Sequence, residues 1–411
     1  MLQVISLFSG IGGLDFGFEQ AGFETRLALE LNRHACRAIR LNRPKWEVLE
    51  EDVNLVSSET ILSRAGLAAG EADVLIGGPP CQPFSKSGYW ARGDALRLDD
   101  PRADTLTAYL RILRDTQPKT FLLENVFGLA YQGKDEGLRY ILDGIKQINQ
   151  DTGSNYQVSW QVVNCAAHGV PQLRERVFMI GSRNGQKFRF PEPTHGDPGE
   201  LGRDLFDTRE PYRTAWDAIG DLNPTEEGLL VGGKWGDLLP SIPEGENYLW
   251  HTDRSGGTPL FGWRTRFWSF LLKLSKRLPS WTIQAQPGSA IGPFHWMNRR
   301  LTFAELCRLQ TFPDGLMVDC GRTEMQRMLG NAVPSLIAEV VAKAIKTQLL
   351  GLPDNSCYQL LPPKRMPIPP PETLRPVLEK YHQFIGVHEA HPGTGRGRSF
   401  KKSPENELVT A

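Results

Sequence analysis

Val4-Ile5-Ser6-Leu7-Phe8-Ser9-Gly10-Ile11-Gly12-Gly13 begins as a buried-strand run, breaks into a glycine-rich turn and leads into a helical pattern. A strand that turns tightly ahead of a helix brings backbone amides close to a ligand at the carboxyl edge of a sheet. Further strand-like runs follow at Arg26 to Leu31, Val48 to Val53, Asp73 to Gly78, Thr120 to Val126, Gln157 to Asn164 and Arg176 to Ser182. Between them apolar residues recur with helical spacing, as at Leu106, Tyr109, Leu110 and Leu113, and again at Leu138, Ile141, Leu142 and Ile145. Strands alternating with helices predict an α/β fold with a mostly parallel sheet covered on both faces.

After about residue 190 this pattern gives way to Gly-, Pro- and Trp-rich sequence, and seven of the ten tryptophans fall between Trp216 and Trp296. A second, smaller and irregular lobe is expected there. Thr302 and Glu305 then form a capping-box pair ahead of Leu306 and Leu309. A last helix starts near Pro334, with Ile337, Val340, Val341, Ala344 and Ile345 as its apolar stripe and Gly351 as its stop. The chain thus leaves the first lobe and returns to it. The expected division is a catalytic domain over 1–194 completed by 323–351, an irregular domain over 195–322, and a tail over 352–411. That tail is Pro-rich and then basic, and is expected to be largely disordered, with Val377 to Ile385 amphipathic enough to dock.

Lysine plus arginine balances aspartate plus glutamate at 47 each, so nucleic-acid binding would have to come from a local basic face. No uninterrupted apolar run approaches bilayer length and no signal-like segment opens the chain, so a cytoplasmic protein without membrane contact is expected. The six cysteines lack CxxC or CxxxH spacing, which argues against a zinc site or a disulfide framework; no metal is expected.

The loop Phe8 to Gly13 departs from the dinucleotide pattern because Asp15 stands where its third glycine belongs, a position expected to crowd a diphosphate. A phosphate-free cofactor fits better. Glu30, at the end of the second strand, can accept both hydroxyls of a ribose, and Asp52, ending the third, could reach an adenine amino group. Two unrelated surface acids are the plain alternative, but with the loop the pair is better explained by adenosine. Gly77-Gly78-Pro79-Pro80-Cys81-Gln82-Pro83-Phe84-Ser85 follows the fourth strand. A lone cysteine is more often a small core residue than a nucleophile, yet packing alone would not need so rigid a turn around Cys81.

This loop resembles the catalytic loop of the cytosine-C5 DNA methyltransferases of the prokaryotic restriction-modification type, and further motifs follow in that family's order. Glu124-Asn125-Val126 resembles its glutamate motif, Gln172-Leu173-Arg174-Glu175-Arg176 its arginine motif, Arg299-Arg300-Leu301-Thr302 the start of its late motif, and Gly330-Asn331-Ala332-Val333-Pro334 the motif that closes the cofactor pocket. The match spans roughly residues 1 to 350. It implies a Rossmann-like S-adenosylmethionine-dependent methyltransferase sheet with a target-recognition domain, and the transfer of a methyl group to C5 of a cytosine in a specific duplex DNA sequence.

On that resemblance Cys81 is the expected nucleophile at C6 of a flipped-out cytosine, Glu124 stabilises the charge that reaches N3 and O2, and Arg174 and Arg176 complete the catalytic set. An apolar strand end would raise the pKa of Glu124, and an arginine beside Cys81 would favour its thiolate. Implied S-adenosyl-L-methionine contacts are Phe8, Ser9, Gly10, Gly12, Gly13, Leu14, Glu30, Leu31, Asp52, Val53, Gly78, Pro80, Leu106, Asn331 and Ala332, with S-adenosyl-L-homocysteine as product. Candidate DNA contacts are Gln82, Ser85, Ser87, Arg92 and Arg97 after the catalytic loop, and Arg254, Arg264 and Arg266 in the irregular lobe. A monomer acting on duplex DNA at the nucleoid is expected, with room for a restriction endonuclease of the same specificity as partner. The rivals are a tRNA cytosine methyltransferase of the same fold, against which the long second lobe argues, and a silent DNA-binding scaffold, against which the intact catalytic set argues.

Overall fold

The computed structural model describes residues 1–80, 104–130, 136–202, 206–223, 229–253, 255–261, 268–285 and 287–386. Its centre is a sheet of seven strands: β1 (Leu2–Leu7), β2 (Phe23–Glu30), β3 (Glu47–Glu50), β4 (Val74–Gly77), β5 (Thr120–Val126), β6 (Gln157–Asn164) and β7 (Glu175–Ser182). They lie side by side in the order β3-β2-β1-β4-β5-β7-β6. The pairs from β3 across to β5 are parallel, while β7 runs antiparallel to both β5 and β6. All seven strands coincide with runs read from the sequence.

Alternation along the strands sends side chains into two cores. Ile5, Leu7, Leu75, Phe121 and Leu123 pack with α3 (Ser58–Ala65), α4 (Asp104–Thr116) and α5 (Glu136–Thr152). Val4, Val74, Ile76 and Leu122 face α1 (Gly13–Gln20) and α9 (Ser335–Gln348) on the other side. The stretch Arg322–Gln348 is apolar enough for a membrane span, but Pro334 divides it into α8 (Arg322–Asn331) and α9, and most of it is buried inside the protein.

Helix α9 lies very close to α1. A Cβ on Gly17 would stand 2.4 Å from the Ser335 carbonyl oxygen, and one on Gly13 equally close to that of Val333. Glycine at both positions therefore lets the returning helix settle against the opening loop, which brings Asn331 to Pro334 to the head of the sheet.

A third core joins the two lobes. It gathers Ile11 and Phe16, Ala35 and Ala38 of α2 (Arg33–Asn42), Ala218 of α6 (Ala215–Ile219), Leu306 of α7 (Phe303–Leu309), Leu329, and Leu274, Ile283 and Trp296 from the irregular region. The capping box of α7 is formed by Thr302 and Glu305 as the sequence predicts. A fourth core, with Leu239, Tyr248, Leu271 and Phe294, belongs to the second lobe and takes in Tyr381 from the tail.

The expectation of a largely disordered tail is corrected for residues 352–386. They run as an extended strap over both lobes, with a short 3-10 helix at Glu379–Phe384. The segment carries too few apolar residues to fold alone, but polar anchors along its length and the buried ring of Tyr381 fix it to surfaces already built. Residues 387–411 lie outside the described residues.

Candidate active site

The carboxyl ends of β1 and β4 adjoin where the chain order of the sheet reverses, the position at which open α/β sheets bind ligands. The Phe8–Gly13 turn rises from β1 with Phe8, Gly10 and Gly12 at positive φ. Glu30 is fixed beside it: its carboxylate accepts from the amide of Gly10 at 2.8 Å and from that of Asn32 at 2.7 Å. Each oxygen keeps a further lone pair for a hydroxyl donor, which suits a ribose. Leu31 follows with 66% of its surface exposed, an apolar side chain held out at the strand end. Asp52 accepts from the amide and side chain of Asn54, and its second oxygen has no hydrogen bond among the described residues. Val53, Leu14 and Leu106 are buried in the sheet cores, Asn331 is exposed and Ala332 half-buried.

Asp15 does not crowd this site. It is fully buried beneath the loop, where it accepts from the hydroxyls of Ser6 and Thr25, both at 3.1 Å, and the Ser6 hydroxyl also meets that of Ser9 at 2.9 Å. Burial pushes its carboxyl up to about 6, against the opposing pull of those hydroxyls. Position along the helix had suggested obstruction. In fact the side chain turns toward β1 and β2, and its polar partners there were not visible in any local motif.

Glu124 ends up at the head of β5, 7% exposed. Burial raises its pKa, while the charges of Arg176 and Arg174 pull it down. Arg176 Nε lies 2.8 Å from Glu124 Oε1. The other carboxylate oxygen faces Gly78, where a Cβ would stand only 2.9 Å away. A larger residue at 78 would fill the space in front of the carboxyl. The amide side chain of Asn125 donates to the Pro79 carbonyl at 3.1 Å, tying the root of the Pro-Pro-Cys loop to the glutamate's own strand.

Arg174, 1% exposed, reaches in a different direction from Arg176. Its Nη2 donates to the carbonyls of Gly330 and Ala332 at 2.9 and 2.8 Å, which fastens the Gly-Asn-Ala-Val-Pro segment across the sheet. Burial, with the Arg176 charge second, lowers it to about 9. Its Nε and Nη1 are buried without a hydrogen-bond partner among the described residues. Gln172 of the same motif is a joint that the sequence did not reveal: it donates to the Leu309 carbonyl and Gln310 and accepts from the Ile283 amide.

Cys81 and the candidate DNA contacts Gln82, Ser85, Ser87, Arg92, Arg97, Arg254, Arg264 and Arg266 lie outside the described residues. Pro80, the last described residue before them, is exposed. Of the remaining cysteines, Cys36, Cys165 and Cys307 are buried. Burial pushes the thiols of Cys36 and Cys165 up to about 12 and that of Cys307 further, so none of the three is an accessible thiolate. Among the described residues no group of three or more His, Cys, Asp or Glu side chains could hold a metal ion.

The sequence model of the C-5 cytosine-specific DNA methylases matches residues 2–347. The type II methyltransferase M.SacI of Streptomyces achromogenes is 39% identical over 371 residues, which cover 85% of this chain and 93% of that protein. The type II methyltransferase M1.HphI of Haemophilus parahaemolyticus is 32% identical over 84% of this chain and 86% of its own. Among solved structures, a prophage-encoded DNA modification methyltransferase from E. coli, described as putative, superposes with a TM-score of 0.57 at 25% identity, covering 85% of this chain and all of that one. A DNMT2 from Spodoptera frugiperda shares the fold, with a TM-score of 0.58 at 18% identity. Matched by that family over residues 2–347 and by these relatives over most of its length, the chain belongs to the C-5 cytosine-specific DNA methylases and is a DNA cytosine-C5 methyltransferase of the S-adenosylmethionine-dependent fold.

Proposed function

We propose that the enzyme methylates a cytosine rotated out of a specific duplex sequence, through a covalent bond between Cys81 Sγ and C6 of the base. The observation that carries this reading is the tie between Asn125 and the Pro79 carbonyl, with Gly78 opening the space before Glu124. The root of the cysteine loop and the buried carboxyl are thereby held on adjacent strands.

Cytosine C5 is a poor nucleophile until electron density is pushed into the ring. The Cys81 thiolate donates its pair to C6, forming the C–S bond, and the displaced ring electrons reach the N3 side. Glu124 supplies the compensating proton there, for which burial keeps its carboxyl above the usual range. Arg176 orients that carboxyl, and Arg174 supports the site by fastening the segment at Gly330 and Ala332. S-adenosyl-L-methionine, when bound, supplies the methyl group to C5 and leaves as S-adenosyl-L-homocysteine. Water near Pro80 and Asn125 takes the C5 proton, the C6–S bond breaks with its electron pair returning to Cys81, and N3 gives its proton back to Glu124, which restores the aromatic ring and the thiolate. Phe8, Ser9, Gly10, Gly12, Gly13, Leu14, Glu30, Leu31, Asp52, Val53, Gly78, Pro80, Leu106, Asn331 and Ala332 are proposed to surround the adenosine and methionine parts.

The irregular region over 195–322 is proposed as the reader of DNA sequence, with Arg254, Arg264 and Arg266 as contacts and Gln82, Ser85, Ser87, Arg92 and Arg97 on the catalytic-loop side. A monomer acting on nucleoid DNA in a bacterial cytoplasm, paired with a restriction endonuclease of the same specificity, accords with the type II relatives. Transfer of labelled methyl to mixed duplex DNA and, separately, to total tRNA tests the reading, with Cys81→Ser as control. Label in DNA that disappears in the variant supports it. Label confined to tRNA, or label that survives the substitution, rejects it.

A further inference from the structure

The family match stops at residue 347, yet residues 352–386 make a path that touches α9, the region of α6 and α7, and the second-lobe core. Two buried charges of α9 hold its start. Glu339 accepts from the amides of Gln359 and Leu360 at 2.7 and 3.0 Å, and Lys343 donates to the carbonyls of Ser356 and Cys357 at 3.2 and 2.8 Å. Arg365 then bonds the Asp217 carboxylate and carbonyl and pairs at 3.0 Å with Asp221, which also accepts from Arg308 of α7.

Farther on, the strap enters the second lobe itself. Lys276, 2% exposed, is shared between Glu244 at 2.6 Å and Glu372 of the strap at 2.9 Å. Tyr381 stacks on Trp235, with ring centroids 5.5 Å apart and planes at 14°, and its hydroxyl donates to the Lys234 carbonyl. One continuous segment therefore pins α9, the α6 and α7 joint, and the second-lobe core to one another.

We infer that residues 352–386 are a positioning strap for the methyl-transfer reaction: they fix the second lobe against the catalytic sheet at the orientation in which duplex DNA is gripped. This rests on the assignment of the second lobe as the DNA reader. A lobe held in place before binding saves the ordering cost at the moment of association, so the strap acts on DNA affinity and leaves the cofactor site alone.

The test is the full-length chain carrying Arg365→Ala, Glu372→Ala and Tyr381→Ala together, assayed for kcat, KM for DNA and the dissociation constant of S-adenosyl-L-homocysteine. KM for DNA should rise about tenfold or more while cofactor affinity stays within about twofold, the pattern of lost substrate positioning. Tyr381→Phe, which keeps the stacked ring, should behave like the unsubstituted enzyme. An unchanged KM in the triple variant overturns the proposal, and so does a parallel loss of DNA and cofactor binding, which would make the strap a support of the whole fold. Arg264→Ala with Arg266→Ala separates the two layers of the argument. If that pair raises KM and the strap variant does not, the strap is wrong. If neither raises it, the second lobe is not the reader.

Discussion

In the first lobe, Ile5 and Leu7 of β1 point into one core and Val4 into the other, and the neighbouring strands repeat the arrangement. In the second, Leu239, Tyr248, Leu271 and Phe294 converge from separate irregular segments, and among the described residues its strands are only two residues long. Their buried charges differ as well. Asp15 under the Phe8–Gly13 turn has hydroxyl partners but no cation bonded to it among the described residues and is pushed toward its neutral form, whereas Lys276 in the second lobe keeps two carboxylates around it. A sheet satisfies its backbone through the ladder and leaves side chains at strand ends free for chemistry. An irregular lobe must spend side chains on holding itself together. Chemistry should therefore fail cleanly in the first lobe, with kcat or cofactor affinity changed alone, and DNA affinity should be the quantity that moves in the second.

The largest effect expected is at Cys81. Cys81→Ser should lower kcat by about 10⁴-fold or more with DNA and cofactor binding retained, since the nucleophile acts as part of a unit that fails when it is removed. Single-turnover methyl transfer measures this, and a variant still within about tenfold of the parent would remove covalent catalysis from the scheme. Glu124→Gln should cost about 10² to 10³ in kcat, in the range for a positioned proton donor. The parent needs Glu124 protonated, so its activity falls as pH rises through the raised pKa; the Gln variant should lack that limb. If both enzymes fall along the same alkaline curve, another group carries the proton.

The unequal legibility of the lobes follows from the same contrast. All seven sheet strands, the capping box of Thr302 and the helix after Pro334 were readable because each is specified by residues within a few positions of one another. Glu30 stood out locally as an acid at a strand end beside the glycine turn, whereas Glu124 stood out only through its likeness to the family's glutamate motif. The fastening of Gly330 by Arg174, the joint at Gln172 and the strap contacts of Arg365 with Asp217 join residues more than a hundred positions apart. No local pattern announces such pairs. The polar partners of Asp15 were hidden in another way: Ser6 and Thr25 look like ordinary strand residues until β1 and β2 pair beneath α1.

Asp15 offers a test of the first lobe's buried polar group through pH alone. Its folded pKa of about 6 exceeds the ordinary 3.8, so between these values the unfolded chain releases a proton that the native protein keeps. Stability must then decline as pH rises across that window, by up to about 3 kcal/mol from this residue, and level off above it. Asp15→Asn should flatten that decline and gain relative to the parent above pH about 6. Urea denaturation at a series of pH values reads the slope. Parallel curves for parent and variant would mean that the carboxyl is charged throughout and that Ser6 and Thr25 suffice to hold it so.

The smallest change expected is at Glu30. Both of its oxygens accept backbone amides, from Gly10 on one side and Asn32 on the other. Glutamine keeps the shape but offers one carbonyl oxygen. Its amide group would meet either the Gly10 or the Asn32 N–H donor to donor, and the side chain must swing away from one of them. A ribose would then lose one of two acceptors. The dissociation constant for S-adenosyl-L-homocysteine should rise about tenfold, near 1.4 kcal/mol, with kcat at saturating cofactor and KM for DNA unchanged. A rise in the DNA KM to the same extent would show that the first-lobe loop and the second lobe respond as one body. The division between chemical and recognition effects would then have to be redrawn at the shared core of Ile11, Phe16 and Trp296, which touches both.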